Sequence, residues 1–230
     1  MSRLEKIFVA LDNMEESARE RFMSDLGNAP VNIKLGLEFF SQLGPKGLIE
    51  FQEKYNKNIF FDYKLHDIPN TVAKAIKSLE GLPIKYLTIH LTGGRQMVRA
   101  AMEAKSKYLP NTKILGVSFL TSLGSEDFSE LWDLEGSNED FGRLFKMGLE
   151  EKIDGFILSP HELPVITSLE ENLGLSALKV TPGIRFSDQS AGDQKRVMDP
   201  NAAFEAGADF LVMGRALTEA ENLAARLEEL

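Results

Sequence analysis

The sequence predicts a (β/α)8 barrel, with residues 1–230 forming a single domain. Eight short apolar runs alternate with segments of helical period, and strands alternating with helices imply a parallel sheet. The chain's 230 residues are enough for eight such units. Ionisable and hydroxyl residues also stand at the C-terminal ends of the runs, where barrels keep their reactive groups. An open doubly wound sheet is the alternative arrangement of the same alternation.

Ile7 to Leu11 (IFVAL) is the first run, closed by Asp12, and Glu15 to Leu26 follows with helical spacing. Val31 to Leu35 carries Lys34 at its end and leads into a helix from Leu37 to Tyr55. Ile59 to Lys64 ends in Asp62 and Lys64, with a helix from Thr71 to Leu79. Tyr86 to His90 precedes the helix Met97 to Lys107. Ile114 to Phe119 is followed by Thr121 and Ser122, then by a long connection with a turn-rich spot at Glu135-Gly136-Ser137-Asn138. Phe141 to Glu151 is the next helix. Gly155 to Leu158 and Leu178 to Thr181 are the sixth and seventh runs, separated by a helix from His161 to Glu170. Pro200 to Ala206 is helical, Phe210 to Met213 is the eighth run, and Thr218 to Leu230 reads as one closing helix.

With 26 Lys and Arg against 35 Asp and Glu, the net charge is −9, which argues against a nucleic-acid surface. The absence of cysteine excludes disulfides and thiolate metal sites. No stretch approaches the length of apolar sequence that spans a membrane, and the chain enters a strand-like run without an apolar leader, so a cytoplasmic location is expected. The three histidines, His66, His90 and His161, lack metal-ligand spacing, so no metal is expected. Trp132 and the fifteen phenylalanines read as core or interface groups.

The stretch NIFFDYKLHDIPNTV, Asn58 to Val72, carries the densest chemistry. Residues i and i+2 of a strand share a face, which sets Asp62 beside Lys64, roughly 6 to 7 Å apart along the backbone. Asp67 lies just beyond, within reach of the same lysine from a loop or from a symmetry mate. Read alone, Asp-x-Lys is equally a structural ion pair, because buried charges need partners. After the seventh run comes Thr181-Pro182-Gly183-Ile184-Arg185, and after the eighth Val212-Met213-Gly214-Arg215. Barrels commonly bind phosphate at these two loops. Glycine lets an anion approach backbone N–H groups, and arginine offers a matching fork. Between these loops, the polar segment from 186 to 197 is expected to form a lid.

Asp62 to Thr71 matches D-x-K-x-x-D-I-P-x-T without a gap, and in this it resembles the orotidine 5'-monophosphate decarboxylases. The shorter D-x-K-x-x-D is shared with phosphosugar decarboxylases and a phosphohexulose synthase. The Ile-Pro-x-Thr tail therefore points to the nucleotide enzymes. The resemblance extends from Ala10-Leu11-Asp12 to Gly214-Arg215. It implies cofactor-free conversion of orotidine 5'-monophosphate to uridine 5'-monophosphate and carbon dioxide in pyrimidine synthesis. It implies an alternating array of Lys34, Asp62, Lys64 and Asp67, with Lys64 as proton donor. It assigns Asp12 and Lys34 to ribose hydroxyls, Thr121 with its neighbour Ser122 to the pyrimidine edge, and Arg185, Gln194, Gly214 and Arg215 to the phosphate. It also implies a homodimer in which Asp67 and Thr71 reach the opposite subunit's site. Where relatives often have threonine before Pro200, this chain has Asp199, which can cap the helix that starts there. A magnesium-dependent phosphosugar lyase and a non-catalytic phosphate-binding barrel are the alternatives, separated by metal dependence and by turnover.

Overall fold

The computed structural model describes residues 2–188 and 198–230. Its strands are β1 (Ile7–Ala10), β2 (Asn32–Gly36), β3 (Ile59–Leu65), β4 (Ile84–His90), β5 (Lys113–Val117), β6 (Gly155–Ile157), β7 (Leu178–Thr181) and β8 (Phe210–Met213). Each pairs in parallel with the next, and β8 pairs with β1, Val212 opposite Phe8, so the sheet closes as a barrel. Closure leaves no strand edge exposed. The helices are α1 (Glu16–Leu26), α2 (Leu37–Tyr55), α3 (Pro69–Ser78), α4 (Gly94–Tyr108), α5 (Ser125–Trp132), α6 (Asn138–Glu150), α7 (Leu163–Leu173), α8 (Pro200–Glu205), α9 (Arg215–Thr218) and α10 (Leu223–Glu228).

Burial on both faces is why the runs read as continuous apolar sequence. Side chains of one parity, among them Phe8, Phe60, Tyr86, Leu115, Val180, Phe210 and Val212, pack together inside the barrel. Those of the other parity, such as Ile7, Val9, Ile33, Phe61, Ile114 and Leu211, pack beneath the helices. The Phe8 ring centroid lies 4.9 Å from those of both Phe60 and Tyr86 and 5.1 Å from that of Phe210. This aromatic layer plugs the barrel. Two residues further along β2, β3 and β4 from Asn32, Phe60 and Tyr86, alternation turns Lys34, Asp62 and Thr88 to the same inner face, above the plug.

Three features depart from the sequence reading. The helix expected from Thr218 to Leu230 forms only as α10: α9 ends at Thr218, and the Asn222 side chain, accepting a hydrogen bond from the Ala225 N–H at 3.1 Å, starts a new helix. The long connection after β5 contains α5, whose start is fixed by the Asp127 carboxylate accepting from the Gly124 N–H at 2.7 Å. The eight-residue α5 buries only Phe128, which leaves little apolar period to read. α2 is broken at Gly44, whose φ of 58° is not helical, and resumes at Pro45. Of the two readings of Trp132, core or interface, burial disfavours the first: it is 42% exposed on α5, with its ring 5.4 Å from Phe119.

Phe8→Ala should cost about 3–5 kcal/mol, because the hole it opens is walled by other strands and cannot collapse. Urea denaturation checks this through a lowered midpoint at unchanged slope. A cost under about 1 kcal/mol would show that the aromatic layer does not support the barrel.

Candidate active site

Adjacent strands deliver the charged groups. Asp12 follows β1, Lys34 lies in β2, and Asp62 and Lys64 lie in β3. Gly36 makes room for the first of them: a Cβ built there would stand 2.5 Å from an Asp12 carboxylate oxygen. β3 is not regular where it matters. Phe61 pairs with Leu87 and Leu65 with Ile89, so three residues of β3, Asp62 to Lys64, lie opposite the single residue Thr88 of β4. Lys64 takes a φ of 50° in this bulge. Simple alternation along a strand, used above to set Asp62 beside Lys64, therefore does not describe the backbone. The two side chains nevertheless meet, because the bulge re-aims Lys64.

The Asp62 carboxylate is the hub of the site. One of its oxygens, Oδ2, accepts from Lys34 Nζ at 3.1 Å and from Lys64 Nζ at 2.8 Å. The other, Oδ1, accepts from the Thr88 hydroxyl at 2.9 Å. Lys34 Nζ also pairs with Asp12. Burial alone pushes the Asp62 carboxyl upward. The charges of Lys34 and Lys64 and their hydrogen bonds outweigh that effect and hold it at about 2. Burial likewise works against the Lys34 ammonium, but Asp62 and Asp12 prevail and raise its pKa. Asp62 and Lys34 are thus held in their charged forms, with both lysine Nζ groups on one carboxylate oxygen.

A cavity of about 780 Å³ opens above the plug. Its lining takes in Asp12, Lys34, Asp62, Lys64, Thr121, Arg185, Gly214 and Arg215, with Phe60, Val117, Ile157 and Val212 as apolar surface. Sequence reasoning places each of those eight, seven polar residues and one glycine, at or just after a strand end. Arg185 donates to the Ile184 carbonyl at 2.9 Å. Its pKa is lowered first by burial and then by the neighbouring Arg215, with Glu219 opposing. An anion between two such guanidinium groups would relieve that repulsion.

Asp67 and Thr71 do not line this cavity. Asp67 is exposed and accepts from the Ile68 N–H at 2.7 Å, and Thr71 is exposed in the first turn of α3. Ser122 is also outside the lining, whereas Thr121 is part of it. Gln194 and most of the expected lid, 189–197, lie outside the described residues. Of its described start, Phe186 is buried and Ser187 and Asp188 are exposed. The flanks are held together by Arg185 N–H donating to the Met198 carbonyl and Met198 N–H to that of Gly183, both at 3.1 Å. Thr88 is the residue that sequence reasoning missed. Its signal was a hydroxyl in an apolar strand, two residues before His90 and on the same face.

A family profile described as Orotidine 5'-phosphate decarboxylase / HUMPS matches residues 5–230. The chain belongs to this family. Among its relatives, the orotidine 5'-phosphate decarboxylase of Idiomarina loihiensis is 36% identical over 227 residues, covering 99% of this chain and 96% of that protein. The protein of the same name from Psychromonas ingrahamii is 37% identical over 218 residues, covering 94% of this chain and 92% of its own. The crystal structure of orotidine 5'-phosphate decarboxylase from Lactobacillus acidophilus is similar at a TM-score of 0.79 and 33% identity, over 97% of this chain and 96% of that one.

Among the described residues, no helix is long and apolar enough to cross a membrane, and no group of three or more His, Asp or Glu is placed to hold a metal ion. His90, at the end of β4, faces His66 with ring centroids 5.1 Å apart. Burial, then His66 and Lys64, lower its pKa to about 4 against the opposing pull of Asp62. The folded protein therefore keeps His90 neutral where the unfolded chain, near the ordinary 6.5, takes up a proton. Stability should fall as pH drops from about 6.5 to about 4, and fall again from about 3.8 to about 2 as Asp62 loses its advantage. Urea midpoints measured against pH should show a flatter first limb in His90→Gln with the second limb retained. An unchanged first limb would assign that loss to other groups.

Proposed function

We propose that the chain is an orotidine 5'-phosphate decarboxylase, converting orotidine 5'-monophosphate to uridine 5'-monophosphate and carbon dioxide in de novo pyrimidine synthesis. The observation that carries this reading is the pair of ammonium groups, Lys34 and Lys64, on the buried Asp62 carboxylate, in a cavity also lined by Arg185 and Arg215. Relatives over nearly the whole chain bear that enzyme's name. The Asp67-Ile68-Pro69-Asn70-Thr71 tail favours the nucleotide over the phosphosugar branch of D-x-K-x-x-D barrels.

In the proposed reaction the bond between C6 of the pyrimidine and its carboxylate breaks, and carbon dioxide leaves. The electron pair stays on C6. A fixed ammonium stabilises that developing charge and then supplies a proton, so Lys64 Nζ is the proton donor and is recharged from solvent. No cofactor is invoked. Asp62 keeps Lys64 charged and aimed, and its repulsion of the substrate carboxylate is a further contribution on this reading. Asp12 and Lys34 take the ribose hydroxyls, and Thr121 takes the pyrimidine edge. Arg185, Gln194, Arg215 and the Gly214 backbone take the phosphate. Binding energy from that remote group can be used to assemble the closed site.

A cytoplasmic homodimer with shared sites belongs to the same proposal. Asp67 and Thr71 stand away from their own cavity, flanking Ile68, which is 67% exposed. An apolar side chain so placed suits an interface that would carry both polar residues into the partner's site.

Orotidine 5'-monophosphate should be consumed by the purified protein equally with and without a chelator, as followed by loss of orotate absorbance. Lys64→Ala should lower turnover by about 100- to 10,000-fold or more while the far-ultraviolet circular dichroism is kept. Near-parental turnover in that variant would sink the assignment of the proton donor. Chelator-sensitive activity on a phosphosugar instead would favour a lyase of the other branch.

Subunit mixing tests the shared site. Neither Asp67→Ala nor Lys64→Ala should be active alone, but a heterodimer of the two has one site with both residues intact. Activity should return on mixing and exchange, and verified heterodimers without it would count against composite sites.

A further inference from the structure

We propose that Thr88 is a positioning residue whose hydroxyl clamps the charged array to the β3 bulge; this rests on the reading of Lys64 as the proton donor. Thr88 is completely buried. Its hydroxyl accepts from the Lys64 backbone N–H at 2.8 Å and donates to Asp62 Oδ1 at 2.9 Å. Both capacities of one hydroxyl are therefore used on the two residues that matter most.

The backbone half of the clamp follows from the bulge. With three residues of β3 opposite Thr88 alone, the ladder offers the Lys64 N–H no regular carbonyl partner. The Thr88 oxygen takes that place and satisfies a group that would otherwise be an orphan donor. Lys64 also holds a left-handed φ of 50°, which residues with side chains keep only when their surroundings over-determine it. The hydrogen bond from its own N–H is one such constraint.

The side-chain half concerns the direction of the carboxylate. Asp62 presents Oδ2 to both ammonium groups only while its plane is fixed, and the bond to Oδ1 fixes it. Without that bond the carboxylate is held at Oδ2 alone, and Lys64 loses its backbone anchor and part of its aim. A misplacement on the order of 1 Å at a reacting group costs about 100-fold in rate. The phosphate-binding loops after β7 and β8 belong to other strands, so affinity should be spared.

Thr88→Val keeps the shape and removes the hydroxyl, and Thr88→Ser restores the hydroxyl without the methyl. Steady-state turnover of orotidine 5'-monophosphate should show kcat reduced about 10- to 100-fold in the valine variant. KM should stay within about threefold and kcat should be largely regained in the serine variant. Hydrogen exchange read independently of turnover should show the Lys64 amide losing about tenfold or more of its protection in Thr88→Val, while Phe61 keeps its own. Parental kcat in the valine variant would overturn the proposal. So would a serine variant as impaired as the valine one, since that means that packing and not the hydroxyl matters. A parent protein with no turnover would overturn the proposed function instead, and amide exchange would then judge the clamp alone: unchanged protection at Lys64 refutes it.

Discussion

Everything at the mouth of this barrel is organised around one carboxylate taken out of water and shared by two ammonium groups. Burying Asp62 is costly, with an effective penalty of about several kcal/mol per ion even after relaxation. Lys34 and Lys64 offset it only because both stand within 3.1 Å of the same oxygen. Lys34 in turn needs Asp12, because it is itself buried. The chain Asp12, Lys34, Asp62, Lys64 alternates in sign, so each member compensates the desolvation of the next. A charge set of this kind is held by its neighbours more than by its own strand, and its geometry is correspondingly fixed.

The barrel makes that arrangement affordable by separating tasks along its axis. Phe8, Phe60, Tyr86 and Phe210 fill the middle layer and carry apolar burial. The next layer toward the strand ends is then released for polar groups, and parallel strands present them side by side without long loops. Among the described strands the ladder yields between β3 and β4, once at Ile59/Phe60 and again, by three residues against one, at the proposed acid. The bulge exchanges backbone regularity for a lysine aimed at Asp62, and the local cost falls on a strand whose remaining residues, Ile59 to Phe61, are completely or almost completely buried. Strain is tolerated where the surroundings are firm.

The electrostatic contrast within the cavity is also informative. Near β2 and β3 the positive groups are matched by Asp12 and Asp62. At the β7 and β8 loops Arg185 is half-buried close to Arg215, and Glu219 only partly opposes the resulting disfavour. The first region is therefore self-compensated, while in the second one guanidinium disfavours the charge of the other. That difference suits a ligand that brings its anion to the arginines and its reacting centre to the lysines, which is the orientation the proposed function requires.

The amino-acid sequence by itself determined the eight strands, the barrel and the rim positions of Asp12, Lys34, Asp62, Lys64, Arg185 and Arg215. These depend on local quantities: apolar runs, helical period and the identity of the residue that closes each run. It failed where local pattern was misleading or silent. The Asn222 cap starts the last helix later than its apolar period suggests, and α5 offered one buried side chain as its signal. Tertiary structure alone decided which charges touch. The bulge at Lys64, the two roles of the Thr88 hydroxyl and the sharing of Asp62 Oδ2 all depend on the register between β3 and β4 and on the approach of β2. Such contacts lie 24 to 28 residues apart in the chain. The sequence names the groups, but distances of 2.8 to 3.1 Å between them exist only once the barrel has closed.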